Sequence, residues 1–121
     1  MPIDAHTARS LAVSYGAEHY FGPWELLWGL KTHYPASTSA EREEAGLAAL
    51  TALLRDSFLV MHVTQTQFPA EAPIAAAHAT GLLSSAKFWK VPSEAPEPPF
   101  FWFATSPAGE SALESGHFTS L

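Results

Sequence analysis

The chain has 121 residues, 47% of them hydrophobic, and its twelve acidic residues against six lysines and arginines give a formal charge of −6. This length and apolar content predict one domain with its own core and exclude global disorder, while the acidic balance counts against nucleic-acid binding, which depends on cationic side chains. Because there is no cysteine, disulfides, thiol nucleophiles and cysteine-based zinc sites are all excluded.

The first half of the chain is predicted to hold three amphipathic helices. The first begins after Asp4, a good N-cap, and its apolar stripe has helical spacing at Ala8, Leu11, Ala12 and Tyr15. Gly16 is predicted to end this helix in a left-handed conformation. The second helix begins at Gly22-Pro23, where proline suits the first helical position, and it ends before Pro35. One face of it carries Trp24, Leu27 and Trp28.

The third helix has the clearest start signal. Thr38 and Glu41 have the spacing of a capping box, and Arg55 lies near the C-terminal end, where the helix dipole favours a cation. The buried face of this helix is predicted at Leu47, Leu50 and Leu54, with Ala49 and Leu53 beside them.

The second half predicts a two-stranded antiparallel sheet. Residues 59–66 alternate in the manner of a half-buried strand, and residues 100–104 form a second strand that is apolar on both faces. Between them we expect a helix over residues 74–87 and irregular chain over the proline-rich residues 91–99, and a last helix runs from Ser106 to about Ser115. The fold class is therefore α+β, with one domain over residues 1–115 and a flexible tail over residues 116–121.

This order of elements resembles a winged-helix domain, in which three helices precede a β-hairpin wing. Residues 52–60 (ALLRDSFLV) resemble the end of a third helix entering the first wing strand, and residues 101–109 (FWFATSPAG) resemble the second wing strand and the entry to a C-terminal helix. Ser57 stands where the resemblance implies a glycine, and the inserted helix replaces a short wing loop. The chain also resembles a group of small uncharacterised actinobacterial proteins, which share the FWKVP segment at residues 88–92.

Aromatic residues are the most unusual feature, and they cluster around the second helix and the second strand. Most are expected to form the core, but a strand that is apolar on both faces needs a cover on each. The sequence leaves two possible covers, which are the helix at residues 74–87 and another protein chain. The candidate interaction residues are Trp24, Trp28, Trp89, Phe101, Trp102 and Phe103.

No catalytic constellation is visible, since the chain has no Gly-x-Ser-x-Gly motif and no glycine-rich phosphate loop. We therefore hypothesise a non-enzymatic protein-interaction or regulatory module without a cofactor. Its expected partner is another protein or a second copy in a dimer.

Two alternatives come from other functional classes. A winged-helix DNA-binding regulator follows from the resemblance, but the start of the third helix opposes it with Glu41, Glu43 and Glu44 around a single Arg42. A metal or small-molecule site is the other, because His62 and His78 are able to meet across the wing.

No apolar run approaches the roughly 20 residues that a membrane span needs. The first residues lack the basic region and following apolar run of a secretory signal. We therefore expect a cytoplasmic protein without a membrane partner, and the resemblance implies a bacterial source.

Overall fold

The structure is a computed structural model that describes residues 3–64, 73–74, 76–83, 89 and 100–118. The irregular segment predicted at residues 91–99 lies outside the described residues, as do the far ends of the first predicted strand and of the inserted helix. The described chain is an α+β protein, with five helices and a two-stranded antiparallel sheet. Its elements are α1 (Ala5–Glu18), α2 (Pro23–His33), α3 (Ser39–Arg55), β1 (Leu59–Thr64), α4 (Ala76–Leu82), β2 (Phe100–Thr105) and α5 (Pro107–Glu114).

Helix α1 begins where the sequence predicted and ends later. The Asp4 carboxylate accepts a hydrogen bond from the backbone N–H of Thr7 at 2.9 Å, as an N-cap does. The prediction that Gly16 ends the helix is wrong, because α1 continues to Glu18. A Cβ at Gly16 would lie 2.7 Å from the backbone nitrogen of Thr105. The glycine therefore lets strand β2 approach the helix closely.

Helix α3 begins with a full capping box, whereas α2 has only the carboxylate half, because Gly22 has no side chain to accept a hydrogen bond. In α3, the Thr38 hydroxyl accepts from the Glu41 N–H at 3.1 Å, and the Glu41 carboxylate accepts from the Thr38 N–H at 2.7 Å. In α2, the Glu25 carboxylate accepts from the Gly22 N–H at 2.8 Å. The Thr38 cap stabilises α3 by about 1 kcal/mol. The starts predicted at Gly22-Pro23 and at Thr38 are confirmed.

The buried stripe of α3 matches the predicted one except at its first residue. Leu47 is 39% exposed, so its assignment to the buried face is wrong. The stripe has i, i+3, i+4, i+7 and i+8 spacing and consists of Gly46, Ala49, Leu50, Leu53 and Leu54. The first residue of this stripe is a glycine. A search for hydrophobic residues alone therefore did not locate the N-terminal end of the stripe.

The α3–β1 turn is a Schellman motif with a serine at its left-handed position. Ser57 has a φ of 62°. The Phe58 N–H donates to the Leu53 carbonyl at 2.9 Å, and the Ser57 N–H donates to the Leu54 carbonyl at 3.2 Å. This is the position where the sequence resemblance implies a glycine, and the backbone has the conformation that glycine favours.

Strands β1 and β2 pair antiparallel from Leu59 opposite Thr105 to Thr64 opposite Phe100. Single bridges extend the pair at both edges, with Phe21 beside Phe103 and Ile74 beside Met61. The Phe21 bridge has two hydrogen bonds, of 2.9 and 2.8 Å. It fixes the connection between α1 and α2 to the sheet.

The two faces of the sheet have different covers. The helix-side face includes Met61 and Phe103, which are fully buried in a core shared with the helices. The outer face carries His62 and Trp102, which pair across the strands. The ring of Tyr20 lies 5.1 Å from that of His62, and the ring of Trp24 lies 5.6 Å from that of Trp102. Among the described residues, the α1–α2 connection and the start of α2 thus cover the outer face.

From the sequence, the helix predicted at residues 74–87 was considered as a cover for the second strand. The structure places α4 differently. It packs against α3 and β1, and its buried Ala79 belongs to the helix-side core together with the following residue Leu83. The described part of α4 therefore adds to the main core.

The chain after α5 returns to the core. Gly116, with a φ of 83°, ends α5 in a second Schellman motif. Phe118 is only 4% exposed, and its ring lies 5.6 Å from that of Phe58. The sequence prediction started a flexible tail at Gly116, whereas the packed chain extends to Phe118.

None of the helices in the described ranges is both long and apolar enough to cross a lipid bilayer.

Candidate interaction surface

The structure divides the six predicted interaction residues into three groups. Phe101 and Phe103 are 5% and 0% exposed, so they pack the core and offer no surface to a partner. Trp102 is half-buried, and its indole N–H donates to the Thr64 hydroxyl at 3.2 Å. The remaining three, Trp24, Trp28 and Trp89, line one cleft.

This cleft, called here the tryptophan cleft, lies between α2 and the start of α3 and has a volume of about 230 Å³. Its α2 wall consists of residues at i, i+3, i+4 and i+7, which share one helix face. That face is the one predicted from the sequence, extended by one turn to Lys31. The lining residues are Trp24, Leu27, Trp28, Lys31, Ser39, Arg42, Glu43 and Trp89.

Two of the three tryptophans are held by their neighbours. The indole of Trp24 lies over Gly22 and meets the ring of Trp102 edge to face. The ring of Trp89 rests on α3, where a Cβ at Gly46 would lie 2.9 Å from it. Both indoles therefore pack against glycines, and this packing fixes two walls of the cleft.

Trp28 differs from the other two because 58% of it is exposed. It also lines a second cleft of about 290 Å³ on the adjacent face of α2, facing the end of α1. We call this second site the acidic cleft; it is lined by Tyr15, Glu18, His19, Glu25, Trp28, Gly29 and Thr32. Trp28 thus forms a ridge between two clefts.

The acidic cleft has a negative electrostatic environment. Burial, together with the negative charges of Glu25 and Glu18, raises the pKa of the Tyr15 phenol. Glu18 is the last residue of α1, where the helix dipole disfavours a carboxylate. His19 Nε2 lies 3.7 Å from a carboxylate oxygen of Glu25. The site is therefore suited to receive a cation.

The tryptophan cleft has a cationic edge. Lys31 is exposed in the last turn of α2 and makes no ion pair with any residue in the described ranges. The Arg42 guanidinium donates to the Ser37 carbonyl, and also to the hydroxyls of Ser37 and Ser39 at 3.1 and 3.2 Å. Among the described residues that line this cleft, Lys31 and Arg42 outnumber the one carboxylate, Glu43.

The bonds of Arg42 also bear on the DNA-binding alternative. Its guanidinium is engaged with the chain that precedes α3, so the only arginine among the acidic residues at the start of this helix already has hydrogen-bond partners within the protein. Phosphate recognition needs cations directed outward. The geometry around Arg42 does not favour such a role.

The histidine hypothesis concerns His62 and His78. His62 is 6% exposed on the outer face, beneath Tyr20. The side chain of His78 lies outside the described part of the structure, so a site shared by the two stays a prediction. Within the described ranges, no group of three or more histidine, aspartate or glutamate side chains is placed to hold a metal ion.

Sequence reasoning found the three tryptophans of the cleft but missed the charged residues beside Trp28. Lys31 could have been identified from the sequence, because it continues the spacing of Trp24 and Trp28 by one turn. Glu18 also carried a signal, because a carboxylate at a helix C-terminus contradicts the dipole preference. The proximity of Glu18 to Trp28 depends on how α1 packs against α2, which no local pattern shows.

Comparison with known proteins found no match among family models, curated proteins or solved structures.

Proposed function

We propose that this protein is a non-enzymatic protein-interaction module that binds its partner through Trp28 and the two clefts beside it. The observation that carries the proposal is the position of Trp28, 58% exposed on a ridge between two clefts. Tryptophan is enriched among the residues that dominate binding energy at interfaces. The formal charge of −6 also favours a protein partner over a nucleic acid.

The free energies of burial and of association indicate how large the contact must be. At about 25 cal/mol per Å², covering the exposed part of one indole contributes on the order of 3 kcal/mol. Association costs at least about 4 kcal/mol in lost translational and rotational freedom. Trp28 alone therefore does not suffice, and the walls of both clefts have to take part.

The scaffold in this proposal is winged-helix-like. Three helices precede an antiparallel strand pair and a further helix follows it, which is the order on which the sequence resemblance rests. The left-handed backbone of Ser57 supports the same assignment, because it occurs where the resemblance implies a glycine. The cytoplasmic location expected from the sequence stays a prediction.

The absence of cysteine makes a direct test of the surface possible. A single cysteine introduced by Thr32→Cys, in the acidic cleft beside Trp28, takes a benzophenone photo-crosslinker. The matched control is Ser111→Cys on the exposed side of α5. Each labelled protein is irradiated in a lysate of the cells that produce it, and the products are identified by mass spectrometry.

The proposal predicts a crosslinked protein product from position 32 that is absent from position 111 and is lost when Trp28→Ala is added. The product counts equally whether it is a second copy or another protein. Equal labelling from both positions, or labelling that persists without Trp28, would contradict the proposal.

A further inference from the structure

The two sides of Trp28 carry charges of opposite sign. Lys31 and Arg42 line the tryptophan cleft on one side, whereas Glu18 and Glu25 line the acidic cleft on the other. Both clefts lie along the same helix, α2, and share the exposed indole. The surface is therefore an apolar ridge with a cationic flank and an anionic flank.

Such a surface is complementary to a copy of itself. In a two-fold dimer the same patch occurs on both subunits, so each contact between two different residues occurs twice. A two-fold axis beside Trp28 places the ridge of each copy over a cleft of the other. The same axis brings the cationic flank of one copy to the anionic flank of the other, and the reverse.

We propose that the partner of this surface is a second copy of the chain, held by reciprocal pairing of Lys31 in one copy with Glu18 in the other. This inference rests on the proposed function and adds the identity of the partner. A partner of a single charge sign would satisfy one flank of the ridge and repel the other. A second copy satisfies both.

In the isolated chain, neither charge makes an ion pair with another of the described residues. Glu18 stands at the negative end of the α1 dipole and shares its cleft with the carboxylate of Glu25. Lys31 is exposed, and within the described ranges no carboxylate lies at ion-pair distance from it. Pairing across the dimer supplies each with an opposite charge, and complementary charges of this kind determine which surfaces pair and in which register.

A charge-swap experiment tests the pairing. Lys31→Glu gives chains in which position 31 and Glu18 repel each other at both contacts of a dimer, and Glu18→Lys gives the corresponding repulsion between lysines. When the two variants are mixed, both contacts of the mixed dimer are attractive again. In one contact the introduced glutamate faces the introduced lysine, and in the other the native Glu18 faces the native Lys31. Sedimentation equilibrium on each variant and on the equimolar mixture measures the dimer dissociation constant.

We expect the unmodified chain to dimerise, each variant to raise the dissociation constant at least about 10-fold, and the mixture to return it to within about 3-fold of the original value. The control variants change the same charges at matching helix ends away from both clefts. These are Arg55→Glu at the end of α3 and Glu114→Lys at the end of α5, both exposed. They should leave the dissociation constant unchanged.

Two results would overturn the inference. One is a mixture that associates no better than its components, which would show that residues 18 and 31 do not pair. The other is an unmodified chain that remains a monomer at every concentration. In that case the proposed function is judged separately, since crosslinking of position 32 to a different protein would retain the interaction surface and reject the second copy as its partner.

Discussion

At the residue scale, Ser57 ends α3 in a conformation that serine seldom adopts. Its φ of 62° lies in the left-handed region, which costs a residue with a Cβ about 1–2 kcal/mol. The side chain is exposed, while the backbone carbonyl accepts a hydrogen bond from the Ser106 hydroxyl. The strain is retained because the Schellman hydrogen bonds and the packing of Phe58 fix the turn.

Ser57→Gly should therefore stabilise the protein. We expect the free energy of unfolding to rise by about 0.5–1 kcal/mol, since relief of the strain exceeds the added entropy of the unfolded chain. Urea denaturation measures the change. Ser57→Ala is the control, because it removes the hydroxyl but keeps the Cβ. Equal stability of the glycine and alanine variants would show that the turn is unstrained.

At the element scale, capping signals were predictable and packing between elements was not. The capping box of α3 involves only residues 38–41, so the local sequence reveals it. Gly16 was misassigned because its close neighbour, Thr105, is remote in sequence. For α2, helical spacing grouped Trp24 with Trp28, but Leu26 and Leu30 form an equally apolar face. Only the packed structure shows that the leucine face is the buried one.

The contact between α1 and β2 leads to a prediction at this scale. Gly16→Ala should lower the free energy of unfolding by about 1–3 kcal/mol, because the added methyl group meets the backbone of Thr105 and forces the elements apart. Gly81→Ala is the control in α4, where no atom of the described residues lies within 4 Å of the added Cβ. There alanine should be neutral or stabilise by up to about 1 kcal/mol. Thermal unfolding measures the melting temperatures of both variants. Equal melting temperatures would contradict this role of Gly16.

At the scale of the whole molecule, the sequence predicted the α+β class, the element order and the antiparallel pairing. It placed Phe101 and Phe103 among the interaction residues, but the long-range packing of β2 against the helices buries both. The surface around Trp28 is likewise assembled from α1, α2, α3 and Trp89, which are brought together only by the fold. Sequence spacing therefore located the tryptophans of α2, and the structure provided the charged flanks.

The most direct test of the surface is the solution mass of the purified protein across a range of concentrations, compared with that of Trp28→Ala. Leu47→Ala is the matched control, since Leu47 is an exposed apolar residue that lines neither cleft. We predict that the unmodified chain and Leu47→Ala rise above the single-chain mass of 13.1 kDa with concentration, whereas Trp28→Ala stays at that mass. Unchanged self-association of Trp28→Ala would contradict the account.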